Sequence, residues 1–249
     1  MSDIIKDYSI FYEIGPGPKY AISKKTIPFL SHSNKLEKYY AIDCHKEYAD
    51  IAANTVSSYF KDIQTDGLCF DITKDYNLSI EPKSCVFMTG TCLSNFTHEE
   101  NINILNNIRN LLCPSSVFIL SFDTTQDKEI IYNGYNNNSL YQFYLNIFRV
   151  LGENILSKNY NPESFSHLCK VVENSNYTEM QGRLIANKSQ SFNLGDYTIS
   201  IKKDNQYHLV NSRKFKNEYL QTLLRFCKFK VIDIIKQNNN SLVFFILKK

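Results

Sequence analysis

A chain of 249 residues that is 43% hydrophobic, with 28 basic and 25 acidic side chains and a formal charge of +3, can bury one substantial core. Its lysines are dispersed, apart from the pairs Lys24-Lys25, Lys202-Lys203 and Lys248-Lys249, so no basic face for nucleic acid is indicated. No run approaches the roughly 18 apolar residues of a membrane span, and Met1-Ser2-Asp3 opens no signal peptide, which makes a cytoplasmic location the expectation.

Ser9 to Ile14 reads as a buried strand that feeds the turn Gly15-Pro16-Gly17. Glycine lets backbone approach a ligand where a side chain would collide. Asp43, at the end of the next strand and 26 residues after Gly17, is placed to bind the two hydroxyls of an adenosine ribose. A plain turn is the other reading of two glycines alone. The turn lacks the third glycine of a dinucleotide fingerprint and the G-K-[ST] of a P-loop, so a cofactor without a pyrophosphate, such as S-adenosylmethionine, fits it best. Glu47 to Phe60 carries apolar groups at 48, 51, 52, 55, 56 and 59, one face of a helix. Gly67 to Phe70 is a short strand running into Asp71-Ile72, where the acid can accept a hydrogen bond from an adenine amino group. Cys85 to Thr89 is a fourth strand. Thr97 and Glu100 make a capping box that opens a helix through Leu112, stopped by Pro114. Ser116 to Phe122 is the near-continuous apolar run of a central parallel strand.

Strands alternating with helices to residue 123 predict an α/β fold, a doubly wound parallel sheet whose ligand lies at the strands' carboxyl ends. Residues 126–214 break the rhythm: 140–157 read as helix, and the rest as short strands and polar turns with Gly182 and Gly195. This stretch is read as an inserted substrate-binding lobe covering the cofactor site, which leaves 1–125 and 215–249 as the cofactor-binding domain. Asn217 to Phe226 reads as a helix, and Phe229 to Ile235 with Leu242 to Leu247 as two strands around the turn Lys236 to Asn240. Class I methyltransferases end their Rossmann-like sheet with such a strand pair. Seven cysteines form no C-x-x-C pair, so neither a zinc site nor a disulfide framework is indicated and no metal is expected. Most read as small buried hydrophobes, and Cys92 is kept as a site candidate for its position. Moving a methyl from a sulfonium needs alignment more than acid or base machinery, because the leaving group is neutral.

No N-P-P-Y or D-P-P-Y follows the fourth strand, where enzymes that methylate exocyclic base amines carry it. That strand runs instead into Met88-Thr89-Gly90-Thr91-Cys92-Leu93-Ser94-Asn95-Phe96-Thr97. With Tyr12 to Gly17, Asp71 to Asp75, Asp127 to Tyr135, Phe143 to Leu151 and Thr178-Glu179-Met180, this segment resembles the histidine-specific methyltransferase family, over nearly the whole chain from residue 9 onward. The resemblance implies S-adenosylmethionine-dependent N-methylation of the amino group of an amino acid or related small amine. It implies that Gly15 and Gly17 hold the methionine part of the cofactor, Asp43 its ribose, and Asp71 with Ile72 its adenine, with Gly90 also at the cofactor. It assigns Asn95 to the substrate's amino nitrogen and Tyr135 to its carboxylate, the two catalytic positions, and Met180 and Ser212 to the side-chain end of the pocket, with Cys92 also against the substrate. Each has a plainer reading: Asn95 as a helix-start cap, Tyr135 as a packed aromatic, Met180 as core, Ser212 as a loop hydroxyl.

The chain departs from the family where a glutamate reads the imidazole two residues before the serine: that position is Val210. Cys92 replaces a threonine. The family's N-terminal stretch is not matched, since the glycine turn begins at residue 15, and a partner chain is a candidate source of its contacts. Histidine itself is therefore not the expected substrate, and a more apolar amino acid or amine is. The alternative is a binding or regulatory protein that keeps the cofactor pocket without turnover.

Overall fold

The apolar opening segment forms β1 (Ile10–Ile14), whose last four residues are buried. The computed structural model describes residues 1–74, 78–153, 160–237 and 241–249. Asp75, residues 154–157 of the expected helix and Asn238 to Asn240 of the expected turn lie outside the described residues. The chain divides into two compact units, Met1–Thr124 with Asn217–Lys249, and Thr125–Lys216.

In the first unit, short helices α1 (Ser2–Ile5), α2 (Lys19–Ala21) and α3 (Ile27–Leu30) precede and follow β1, the last two joined by a π turn at Ile22–Thr26. β1 pairs in parallel with β2 (Lys38–Asp43) on one side and β4 (Cys85–Met88) on the other. β3 (Gln64–Cys69) extends the sheet beyond β2, and β5 (Val117–Asp123) beyond β4. The chain's last strands, β11 (Lys230–Lys236) and β12 (Leu242–Lys248), close the other edge, with β12 antiparallel to β5. The order is β11-β12-β5-β4-β1-β2-β3. The sequence order reverses at β1, between β2 and β4, which opens the crevice at the carboxyl ends where doubly wound sheets take ligands. β4 is buried throughout and β5 along its first six residues, as strands covered on both faces must be.

α4 (Lys46–Tyr59) forms where the 3.6-residue period places it, but it buries Ala49, Ala52, Ala53, Thr55 and Val56, while Tyr48 and Tyr59 stay exposed. Small residues take the inward face because the helix packs close on β3: a Cβ on Gly67 would fall 2.7 Å from backbone atoms of Ala49 and Asp50. β3 also starts three residues before the expected Gly67, because its ladder with β2 pairs from Gln64. α5 (His98–Leu111) opens on the capping box: Thr97 N donates to Glu100 Oε2 at 2.7 Å and Glu100 N to Thr97 Oγ1 at 3.3 Å.

The second unit holds α6 (Lys128–Tyr135) and α7 (Asn138–Glu153), with a three-stranded antiparallel sheet of β6 (Phe165–Glu173), β7 (Tyr177–Ala186) and β10 (Gln206–Phe215) in the order β10-β7-β6. β8 (Gln190–Leu194) and β9 (Tyr197–Ile201) form a separate hairpin, turned at Gly195 with φ +58°. Asp127 caps α6 by accepting from Glu129 N and Ile130 N at 2.8 and 3.1 Å. Gly182, expected among turns, lies inside β7. A Cβ there would meet the Tyr144 ring and hydroxyl of α7 at 2.6 Å, so a glycine notch seats the tyrosine. The core of this unit gathers Tyr144, Leu145 and Phe148 with Phe165 and Leu184. The first unit resumes with α8 (Asn217–Phe226), which precedes β11. Among the described residues no helix is long and apolar enough to cross a membrane.

Candidate functional site

β1 delivers the chain to Gly15 and Gly17 at φ +66° and +79°, a region that side chains other than glycine's rarely adopt. A Cβ on Gly15 would lie 3.0 Å from Cys92 Sγ. The bare backbone therefore leaves room at the carboxyl end of β1, beside an open cavity. Gly15, Asp43, Asp71 and Ile72, four of the six expected cofactor residues, line that cavity with Ile14, Met88 and Phe96. Gly17 belongs to the same turn without lining the cavity. Gly90 is adjacent: a Cβ on it would lie 3.8 Å from both Gly15 O and Cys92 Sγ. Cys92, expected against the substrate, lines this cavity too, and burial pushes its thiol pKa up, so it is a neutral thiol.

The two acids differ in what they have left to offer. Asp43 Oδ1 accepts from His45 N at 3.0 Å, whereas Oδ2 has no hydrogen-bond partner among the described residues and is left able to accept from a ligand. Asp71 Oδ1 accepts from Thr73 Oγ1 at 2.6 Å and Thr73 N at 3.0 Å, and Oδ2 pairs with Lys74 Nζ at 3.0 Å. These donors, the Thr73 hydroxyl first, bring its pKa down to about 2, so it is ionised at any working pH.

Behind the turn stands a cluster that sequence reasoning passed over. Glu13 is fully buried in β1 and accepts from Thr26 Oγ1 at 2.8 and 3.0 Å and Tyr39 Oη at 2.7 Å, while Lys25 Nζ pairs with it at 3.0 Å. Lys25 also donates to Pro16 O at 3.4 Å, and a Cβ on Gly90 would sit 3.7 Å from its ammonium. One cation thus ties the glycine turn to the β1 carboxylate. The signal available was an acid inside the otherwise apolar run Phe11 to Ile14.

Asn95 ends the 3-10 turn Cys92–Asn95 and is exposed. It caps no helix, since Thr97 does that, and its side chain makes no hydrogen bond among the described residues.

In the second unit the structure brings Tyr135, Met180 and Ser212 together. Tyr135 Oη lies 2.9 Å from Ser212 Oγ, and Ser212 is opposite Met180 in the β10–β7 ladder. Met180 is buried with Ile131 and Cys169, against Tyr135, Val171 and Val210. Lys214, two residues past Ser212 and on the same strand face, was not singled out from sequence. Its Nζ donates to Tyr135 Oη at 2.8 Å and Ser212 Oγ at 3.1 Å and lies 4.9 Å from the Tyr135 ring centre. The strand alternation of β10 was the signal for it.

A family model described as histidine-specific methyltransferase, SAM-dependent, matches residues 2–249. No curated protein matches the chain by sequence. Among solved structures, the chain is similar to an S-adenosylmethionine-dependent methyltransferase from Clostridium acetobutylicum, with a TM-score of 0.52 and 13% identity over 99% of this chain and 85% of that one. A protein from Pyrococcus horikoshii gives 0.53 and 14% over 99% and 85%. The CcbJ methyltransferase of Streptomyces caelestis gives 0.52 and 11% over 99% and 91%. At these identities the likeness establishes the fold, the Rossmann-like sheet of class I methyltransferases.

Proposed function

Since the chain belongs to the histidine-specific methyltransferase family and is an S-adenosylmethionine-dependent methyltransferase, we propose that it methylates the amino group of an amino acid or related small amine other than histidine. The observation that carries the exclusion of histidine is Val210. It pairs with Gly182 in the β10–β7 ladder and packs against the cluster of Ile131, Cys169 and Met180. An imidazole brought among these groups would lose its hydrogen bonds to water without gaining a carboxylate partner, whereas an apolar side chain loses nothing.

The residues fit the cofactor: a glycine turn with left-handed backbone, an ionised Asp71 and an Asp43 with an open carboxylate oxygen border one cavity. When bound, the cofactor supplies an electrophilic methyl on a sulfonium. Asp43 accepts from the ribose hydroxyls and Asp71 from the adenine amino group. Asn95 Oδ1 accepts an N–H of the neutral substrate amine and so aims its lone pair, a positioning task that accounts for most of such a rate enhancement. The Tyr135 hydroxyl, backed by the Lys214 ammonium and hydrogen-bonded to Ser212, holds the substrate carboxylate. The inserted 126–214 stretch is on this reading the substrate-binding lobe, and 1–125 with 215–249 the cofactor domain.

The test is to incubate the protein with S-adenosylmethionine and the proteinogenic amino acids and simple amines, and to follow methylated products by mass spectrometry. An N-methylated apolar amino acid or amine is expected, with histidine used about tenfold less efficiently or worse. Histidine as the most efficient substrate would overturn the proposal.

A further inference from the structure

Asp43, Cys44 and His45 stand where β2 gives way to α4, and on the proposed reading only the first of them hydrogen-bonds the cofactor. The backbone there turns sharply, with His45 N donating to Asp43 Oδ1 at 3.0 Å, and this turn gathers three side chains that strand alternation would separate. Cys44 Sγ lies 3.1 Å from His45 Nδ1 and 3.6 Å from Asp43 Oδ1, and His45 Nδ1 lies 3.8 Å from Asp43 Oδ1. Among the described residues, no other three His, Cys, Asp or Glu side chains draw their ligand atoms this close.

Those separations have a chemical meaning. Tetrahedral zinc holds thiolate sulfur at about 2.3 Å and imidazole nitrogen or carboxylate oxygen at about 2.0 to 2.2 Å, so the edges between such ligands span about 3.3 to 3.6 Å. The observed edges bracket that range, and three atoms so spaced form one face of a tetrahedron. Cys44 and His45 are exposed, so a cation reaches them without local unfolding. We propose that Asp43, Cys44 and His45 bind a borderline-soft divalent cation such as Zn2+, with water as the fourth ligand. Neutral His45 ligates through Nδ1. The Cys44 thiol releases its proton to solvent as the sulfur–metal bond forms, and two anionic ligands then balance the two charges of the ion. A spacing rule built on C-x-x-C misses this site because its ligands are contiguous in sequence.

The site shares Asp43 and Cys44 with the lining of the cofactor cavity. Resting on the reading that Asp43 binds the cofactor ribose, a cation on Oδ1 draws off the negative charge that Oδ2 offers the ribose hydroxyls, so cation and cofactor compete for one carboxylate and zinc is a reversible inhibitor.

Two measurements on the whole protein separate these claims. Titration with Co2+ under a phosphine reductant is expected to raise the near-ultraviolet charge-transfer band of a cobalt thiolate, which Zn2+ displaces, Cys69→Ser keeps and Cys44→Ser abolishes. By calorimetry Cys44→Ser and His45→Ala each weaken Zn2+ binding about tenfold or more. A band that survives in Cys44→Ser, or wild-type zinc affinity in both variants, overturns the site. In the second measurement, saturating Zn2+ weakens S-adenosylmethionine binding about tenfold or more in the wild-type protein and leaves it unchanged in Cys44→Ser. Cofactor affinity indifferent to zinc in the wild-type protein overturns the competition. Failure to bind the cofactor under any condition falls on the cofactor reading, and the cobalt band then still decides the metal site.

Discussion

Glu13 and Asp43 show how one residue type takes different parts according to what surrounds it. Glu13 has no exposed surface, and its burial is tolerable because Thr26, Tyr39 and Lys25 all point at it. A buried carboxylate stripped of such partners is strongly destabilising. Tyr39 answers in turn, its phenol pKa pushed well above the ordinary value by burial and by the Glu13 charge. That carboxylate is committed to the fold. Asp43, at the end of the strand that pairs with β1, keeps Oδ2 without a hydrogen bond among the described residues. A charge-assisted hydrogen bond to a ribose hydroxyl contributes about 1.5 to 3 kcal/mol. Asp43→Ala should therefore weaken S-adenosylmethionine binding roughly 10- to 100-fold by calorimetry while leaving the unfolding midpoint near the wild-type value. Unchanged affinity would remove Asp43 from the cofactor site.

At the level of elements, the closeness of α4 to β3 is the feature most exposed to a single substitution. Gly67→Ala places a methyl 2.5 Å from Asp50 Oδ1 and 2.7 Å from helix backbone. Backbone cannot step aside as a side-chain tip can, so the variant should lose about 1 to 3 kcal/mol, read from the urea midpoint. Stability equal to wild type would mean that the helix slides freely. The same contact explains why the buried face of α4 was not legible in sequence: periodicity announced a helix, but which stripe turns inward was decided by a glycine on another strand. α5 and α8 were legible because their signals are local, a capping box at Thr97 and a helical period from Asn217 to Phe226. Gly182 was not, since a residue of α7 fills its missing side chain. In β6, His167 packs near the rings of Tyr141 and Tyr144, with centroids 6.3 and 5.3 Å away, and its Nε2 is buried without a partner among the described residues. Burial lowers its pKa below the ordinary 6.5. The unfolded chain thus binds the proton at a higher pH than the folded one does. Stability should rise with pH from the folded pKa up to about 6.5 and level off above it, with acidification costing stability through that window. His167→Gln should flatten the slope in chemical denaturation series taken on either side of it, and an identical slope would assign the effect to another group.

For the whole molecule, the sheet order β11-β12-β5-β4-β1-β2-β3 could be anticipated in kind, because parallel strands buried on both faces read as continuous apolar runs and their ligand crevice lies at the carboxyl ends. Gly15, Asp43, Asp71 and Ile72 are strand-end positions, and such positions are visible in a linear sequence. Lys25 and Lys214 are not, since each acts through partners brought to it by folding: Glu13 and Pro16 for the one, Tyr135 and Ser212 for the other. The antiparallel β10-β7-β6 sheet likewise depends on pairings between distant runs that no local period specifies. This division of labour carries its own prediction, because the cofactor candidates belong to the first unit and Tyr135 to the second. Asn95→Ala should leave S-adenosylmethionine affinity within about twofold while lowering kcat about 100-fold, since an unaimed amine still binds but seldom attacks. Tyr135→Phe should also spare cofactor affinity but raise the amine's KM about tenfold with a smaller change in kcat, as the loss of one hydrogen bond to a charged group requires. Calorimetry for the cofactor and steady-state kinetics for the amine read both. Parallel losses of cofactor affinity and turnover in Asn95→Ala would make it a folding residue, and a normal KM in Tyr135→Phe would take the hydroxyl cluster of the second unit out of substrate recognition.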